Sequence, residues 1–238
     1  IKDFDIIDSD HFFSNGNFDP ELGWDYPMPS TSKKIKYIAE SYGDSFTASG
    51  FSNDQTWQEQ FYKLSNLGII NLGVGGYGLD QSILKFEQYS QNKSFKRVKN
   101  IILGLYGQVF SRSVSYYSYY YFLNQHFKYA FKPRFIKSND EFDLLGIPCQ
   151  DSECLKHELT DLNSATYANL NKYDYWYKKE IKRPILKFPR TISYTKAIPS
   201  IIHRKKQRKY AAPTYFEDAE SIKLAKYLIF RFSEIAYL

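Results

Sequence analysis

Ile35-Lys36-Tyr37-Ile38-Ala39-Glu40-Ser41-Tyr42-Gly43-Asp44-Ser45-Phe46-Thr47-Ala48-Ser49 is the stretch whose reading decides the fold. Its start, Ile35 to Glu40, is rich in β-branched and aromatic residues and reads as a strand. Gly43-Asp44-Ser45 follows, and then a helix. A strand that hands a serine to a helix N-terminus sets the hydroxyl outside the carboxyl end of a parallel sheet, where open α/β sheets bind ligands. Gly43 permits a tight turn, and the free N–H groups of the following turn can donate to an oxyanion. A plainer reading makes Ser45 a helix N-cap, and for this segment alone the cap is favoured.

Outward from this stretch the chain alternates. Thr56 to Leu64 has helical spacing, with Trp57, Phe61 and Leu64 at i, i+4 and i+7. Leu67 to Leu72 is a short apolar strand ending in a glycine cluster. Asp80 to Ser90 is amphipathic, and Val98 to Tyr106, with Ile101-Ile102-Leu103, is the strongest strand pattern in the chain. Strand, helix, strand, helix, strand predicts parallel βαβ units with right-handed crossovers. The expected organisation is an irregular N-terminal layer (1–34), an α/β core (35–125), a cap insertion (126–212) and a core helix (213–238). A tyrosine-heavy stretch, Tyr116 to Tyr121, is expected to be helical. In the last helix Ala219, Ile222, Ala225, Leu228, Ile229 and Phe232 share one face. In a βαβ architecture that helix delivers another strand, so the domain is expected to continue past Leu238, with its last strand beyond this chain.

Composition agrees with a folded domain. Of 238 residues, 43% are hydrophobic and 24% charged, which excludes a disordered chain. Aromatics reach 18%, with 22 Tyr and 19 Phe, which suits a large core or an aromatic-lined cleft. No apolar run approaches the roughly 18 residues of a membrane span. Cys149 and Cys154 are close enough for a small loop disulfide, and their spacing leaves open whether one forms. Cysteine and histidine spacings match no metal pattern, so neither metal nor organic cofactor is expected. The net charge of +6 is small except for the run His203-Arg204-Lys205-Lys206-Gln207-Arg208-Lys209. That run lacks any accompanying nucleic-acid fold signature and reads as a solvated loop that could steer an acidic substrate.

A second glycine-bearing segment, Asn71-Leu72-Gly73-Val74-Gly75-Gly76-Tyr77-Gly78, follows the second strand. Gly73, Gly75 and Gly78 form a formal G-x-G-x-x-G, the pattern of dinucleotide-binding turns. That fingerprint needs an acidic residue about 20 residues on to hold a ribose. The next strand ends instead in Gly107-Gln108, so the nucleotide reading falls well behind.

Taken together, the two segments resemble the SGNH, or GDSL-type, hydrolase family. Gly43-Asp44-Ser45 looks like its first block, and Asn71 with Gly76 looks like its second. Asp19-Pro20-Glu21-Leu22-Gly23-Trp24 and Gly76-Tyr77-Gly78-Leu79-Asp80-Gln81 look like an envelope-associated bacterial branch of that family. The resemblance implies a flavodoxin-like three-layer αβα sandwich and a serine esterase acting on acyl or acetyl esters, with an acylated carbohydrate or lipid as the candidate substrate. An O-acetyl-transferring relative and a non-catalytic glycan-binding relative are the alternatives. An exported or envelope-facing location is the one implied.

In this resemblance Ser45 is the nucleophile, supported by Gly43, Asp44 and Asn71, and the Gly76 N–H helps to hold the oxyanion. The family's third block, Gly-x-Asn-Asp, is replaced by Gly104-Leu105-Tyr106-Gly107-Gln108, which puts Tyr106 in place of the Asn and makes Gln108 a substitute amide donor. The family's base comes from a late Asp-x-x-His block. His11, His126, His157 and His203 do not supply it, so the base and its Asp are expected after Leu238. Asp8-Ser9-Asp10-His11 matches the pattern literally but lies upstream of Ser45, and reads as a polar turn.

Overall fold

The structure is a computed structural model that describes residues 18–26, 28–29, 31–49, 53–92, 98–117, 131–139, 141–181, 198 and 219–237. The chain begins with a two-residue ribbon, β1 (Phe18–Asp19) against β2 (Gly23–Trp24). The core then builds as β3 (Lys36–Tyr42), α1 (Ser45–Ala48), α2 (Trp57–Ser65), β4 (Leu67–Asn71), α3 (Leu79–Gln91), β5 (Asn100–Leu103) and α4 (Gly107–Arg112). An antiparallel hairpin follows, β6 (Arg134–Ser138) with β7 (Glu141–Leu145). Short helices α5 (Ser152–Thr160), α6 (Ala165–Tyr173) and α7 (Tyr175–Ile181) come next, and α8 (Ala219–Tyr237) is the last element.

The fold is mixed α/β. Its three-stranded sheet is parallel, in the order β4-β3-β5, as the alternating pattern predicts. Glu40 of the central strand is level with Ile70 on one side and Ile101 on the other. Pairing runs past the strand ends, with Leu72 N donating to Ser41 O at 2.9 Å and Gly104 N to Tyr42 O at 2.8 Å. The loops after β3, β4 and β5 are therefore held side by side at the carboxyl edge of the sheet.

The central helix, α3, is buried from Leu79 to Glu87, polar positions included. Its apolar side chains join Leu22, Trp24, Val74 and Tyr77 with Leu224 and Leu228 of α8 in one core. Phe86 also packs on Phe232 at 4.7 Å between ring centroids. The polar positions of α3 are paired: Asp80 with Lys132, Lys85 with Asp25 at 2.5 Å, and Glu87 with Arg231 at 2.5 and 2.8 Å. Burial pushes the Asp80 carboxyl up and the Lys132 ammonium down, and each one's charge opposes the other's shift.

Three local expectations need correction. Leu64 is 90% exposed, whereas Gln58 of the same helix is buried. Gln58 goes inside because its amide donates to Ser41 Oγ and Thr47 O, at 3.0 and 2.8 Å. In α8 Leu228 is buried and Ala225 and Phe232 pack on the same core, as expected, but Ser221 and Leu224 are buried as well and Ile229 faces out. Tyr116 and Tyr117 are not helical. Tyr117 makes an isolated bridge to Phe131 and stacks on its ring at 4.3 Å, and residues 118–121 lie outside the described residues.

The segment after the α/β core contains its own core, in which Tyr116, Tyr117, Phe131, Tyr167, Leu170 and Tyr177 surround Cys149. Cys149 and Cys154 are joined in a disulfide, with Cα atoms 5.5 Å apart. Asp151 caps α5 by accepting from Cys154 N at 2.8 Å. Among the described residues, no helix is long and apolar enough to cross a membrane.

Candidate active site

Ser45 is the first residue of α1 and is exposed at the carboxyl end of the central strand. The capping role belongs to its neighbour: Asp44 Oδ1 accepts from Phe46 N at 3.0 Å. The plainer reading of Ser45 as the N-cap is thereby corrected, and its hydroxyl is left for other use. Gly43 has φ +155°, and a Cβ there would meet Thr47 Oγ1 at 2.1 Å, so the turn into Ser45 has room only for glycine.

Asn71 links the two loops beside Ser45. Its Nδ2 donates to Ala48 O at 2.7 Å, and its Oδ1 accepts from Gly73 N at 3.1 Å. Val74 N donates to Gly43 O at 3.0 Å and closes the same seam. The glycine loop thus runs directly past the serine. A Cβ built on Gly75 would lie 4.0 Å from Ser45 Cβ. Gly76 is buried, with φ +83°.

On the far side of Asp44 is a residue that the sequence reading missed. Arg112 is buried, and its Nη1 donates to Asp44 Oδ2 at 2.9 Å and to Tyr77 O at 3.1 Å. Its Nη2 donates to Gln108 Oε1 at 3.0 Å. One guanidinium, carried on α4, therefore ties together the serine loop and the glycine loop. Gln108 and Arg112 are i, i+4 neighbours on α4, but no spacing rule relates either to residues 44 and 77. Tyr106, at the position of the family's Asn, turns outward and packs on the exposed Phe46 ring at 4.3 Å.

Ser45 opens onto a cleft of about 540 Å³. Asn71, Gly75, Tyr26, Tyr62 and Glu59 are among the residues that line it with the serine, and the Tyr26 hydroxyl would lie 3.2 Å from a Cβ built on Gly75. Neither Gly76 nor Gln108 contributes to that lining. Lys85 does, and burial holds its ammonium below the usual lysine range while Asp25 works in the opposite direction. The cleft has the size and mixed polarity of a small-molecule site.

Among the described residues, no side chain hydrogen-bonds the Ser45 hydroxyl, and none of the His/Cys/Asp/Glu side chains gather into a metal-binding group. His157 lies on α5 with its side chain 80% exposed, next to Glu158. His11, with Asp8, and His126 and His203, with the basic run, lie outside the described residues.

The glycine loop is poorly suited to a nucleotide. Gly73 N, Val74 N, Gly78 N and Leu79 N, the amides a pyrophosphate would need, already donate to Asn71, Gly43, Gln81 and Ser113. The α3 N-terminus also carries the buried carboxylate of Asp80.

No protein-family model matches this chain. Comparison with curated proteins and with solved structures finds no match either. The chemistry is therefore argued from the site's own geometry.

Proposed function

We propose that this protein is a serine hydrolase of the SGNH type that cleaves acyl or acetyl esters, with Ser45 as nucleophile. The observation that supports this best is the placement of Ser45. It is an exposed serine at the carboxyl end of the central parallel strand, relieved of capping by Asp44, and facing the cleft beside the glycine loop. Ser45 Oγ attacks the ester carbonyl, and the N–H groups of Ser45 and Gly76 receive the tetrahedral oxyanion, with Gln108 Nε2 as a further donor. Collapse expels the alcohol and leaves an acyl-serine, which water then hydrolyses. The histidine that accepts the serine proton and the aspartate that orients it are supplied from outside the described residues.

The test is hydrolysis of p-nitrophenyl acetate by the full-length protein. In this reading Ser45→Ala lowers kcat by about 1,000-fold or more. Equal turnover by the two proteins overturns it. A second reading, a non-catalytic glycan-binding relative, draws on Tyr26, Tyr37 and Tyr62, which line the cleft. It expects binding of acetylated oligosaccharides, unchanged in Ser45→Ala, with no release of acetate.

A further inference from the structure

The N-terminal ribbon reaches the glycine loop through a hydrogen bond in which Trp24 Nε1 donates to Gly75 O at 2.8 Å. Trp24 is 5% exposed, and its ring packs edge-on to Tyr77 at 6.0 Å between centroids. An indole N–H can only donate, so the bond fixes the direction in which the Gly75 carbonyl points. In a planar trans peptide the N–H of the next residue points the opposite way. The Gly75 carbonyl is drawn toward the buried Trp24, so the Gly76 N–H points away from the indole; Gly75 itself lies beside Ser45, with a Cβ built on it 4.0 Å from Ser45 Cβ.

Two further observations agree. Gly76 is buried, yet among the described residues no group accepts its N–H, a rare state for a buried amide unless it serves water or a ligand. Its φ of +83° belongs to a conformation that a side chain would resist, so glycine is what allows the loop this peptide orientation.

We infer that Trp24 is a positioning residue: its indole N–H sets the Gly75–Gly76 peptide so that the Gly76 N–H is presented to the oxyanion formed at Ser45. The inference rests on the ester-hydrolase reading of Ser45. Trp24 touches no reacting atom and acts only through the peptide that it orients.

Trp24→Phe removes the donor and keeps an aromatic ring against Tyr77. A second protein, with benzothienylalanine at position 24, keeps the indole's shape without its N–H and covers the case in which phenylalanine packs poorly. In both, kcat for p-nitrophenyl acetate should fall about 10- to 100-fold with KM within about twofold, since a misdirected oxyanion donor costs transition-state rather than ground-state binding. Affinity for a phenylboronic acid, which forms a tetrahedral serine adduct, should fall in parallel. A mere loss of packing would not produce that split. Normal kcat and boronate affinity in the benzothienylalanine protein, alongside an inactive Ser45→Ala, overturn the role of Trp24 and leave the hydrolase reading intact. Undiminished turnover in Ser45→Ala, or neither turnover nor boronate binding in the unaltered protein, overturns both.

Discussion

Arg112 does in the folded protein what no single stretch of sequence announces. A guanidinium carries donors only, so Gln108 must offer it the amide oxygen and turn Nε2 the other way. The same guanidinium neutralises Asp44, whose carboxylate caps the turn that carries Ser45. Arg112→Met should therefore cost about 3–5 kcal/mol in urea unfolding, because the Asp44 charge is left buried without a counter-ion. A loss below about 1 kcal/mol would show that Asp44 is neutralised in some other way. The turn of Gly43 and Ser45 was legible in the sequence because it is built within a few residues, whereas Asn71 also donates to Ala48, 23 residues before it. Arg112 was not legible, because its partner Asp44 is 68 residues away.

At the scale of elements, the strand–turn–helix order was legible and the buried faces were less so. Helix α2 puts Gln58 inward and Leu64 outward, because hydrogen bonds to Ser41 and Thr47, rather than apolar spacing, fix its orientation. Helix α3 shows the same effect more strongly. Asp80, in its first turn, is fully buried against Lys132, from the segment that leads into β6. Breaking this pair from one side should cost far more than removing it. Lys132→Met is expected to lose about 3–5 kcal/mol in urea unfolding, and Asp80→Leu with Lys132→Met should recover most of that loss. If the double variant is no more stable than the single one, Asp80 has a role beyond pairing with Lys132.

Across the described residues, several of the tyrosines that stood out in the composition are structural. Tyr42, Tyr77, Tyr116, Tyr117 and Tyr167 are almost fully buried. Burial, ahead of nearby acids, pushes the Tyr89 and Tyr177 phenols from the ordinary 10.0 up to about 12, and raises Tyr77 and Tyr116 as well. The unfolded chain ionises these phenols first. Stability should therefore be intact below pH 10, and should fall as the pH rises from there toward 12. Tyrosinate absorbance and circular dichroism followed together should show ionisation and unfolding in a single step. Smooth ionisation near pH 10 with the fold retained would contradict this.

The sequence by itself determined the βαβ order, the loops at the strand ends and the serine turn, because hydrophobic period and turn chemistry are local properties. Tertiary structure alone decided which polar side chains went inside and which loops were tied together. Asp44, Asp80 and Lys85 are tolerable in the interior only because Arg112, Lys132 and Asp25 arrive from elsewhere in the chain. The Gly75–Gly76 peptide is oriented by Trp24, 51 residues before Gly75. A buried charge or a directed N–H is settled by its partner, and pairing across such distances leaves no periodic trace in a sequence.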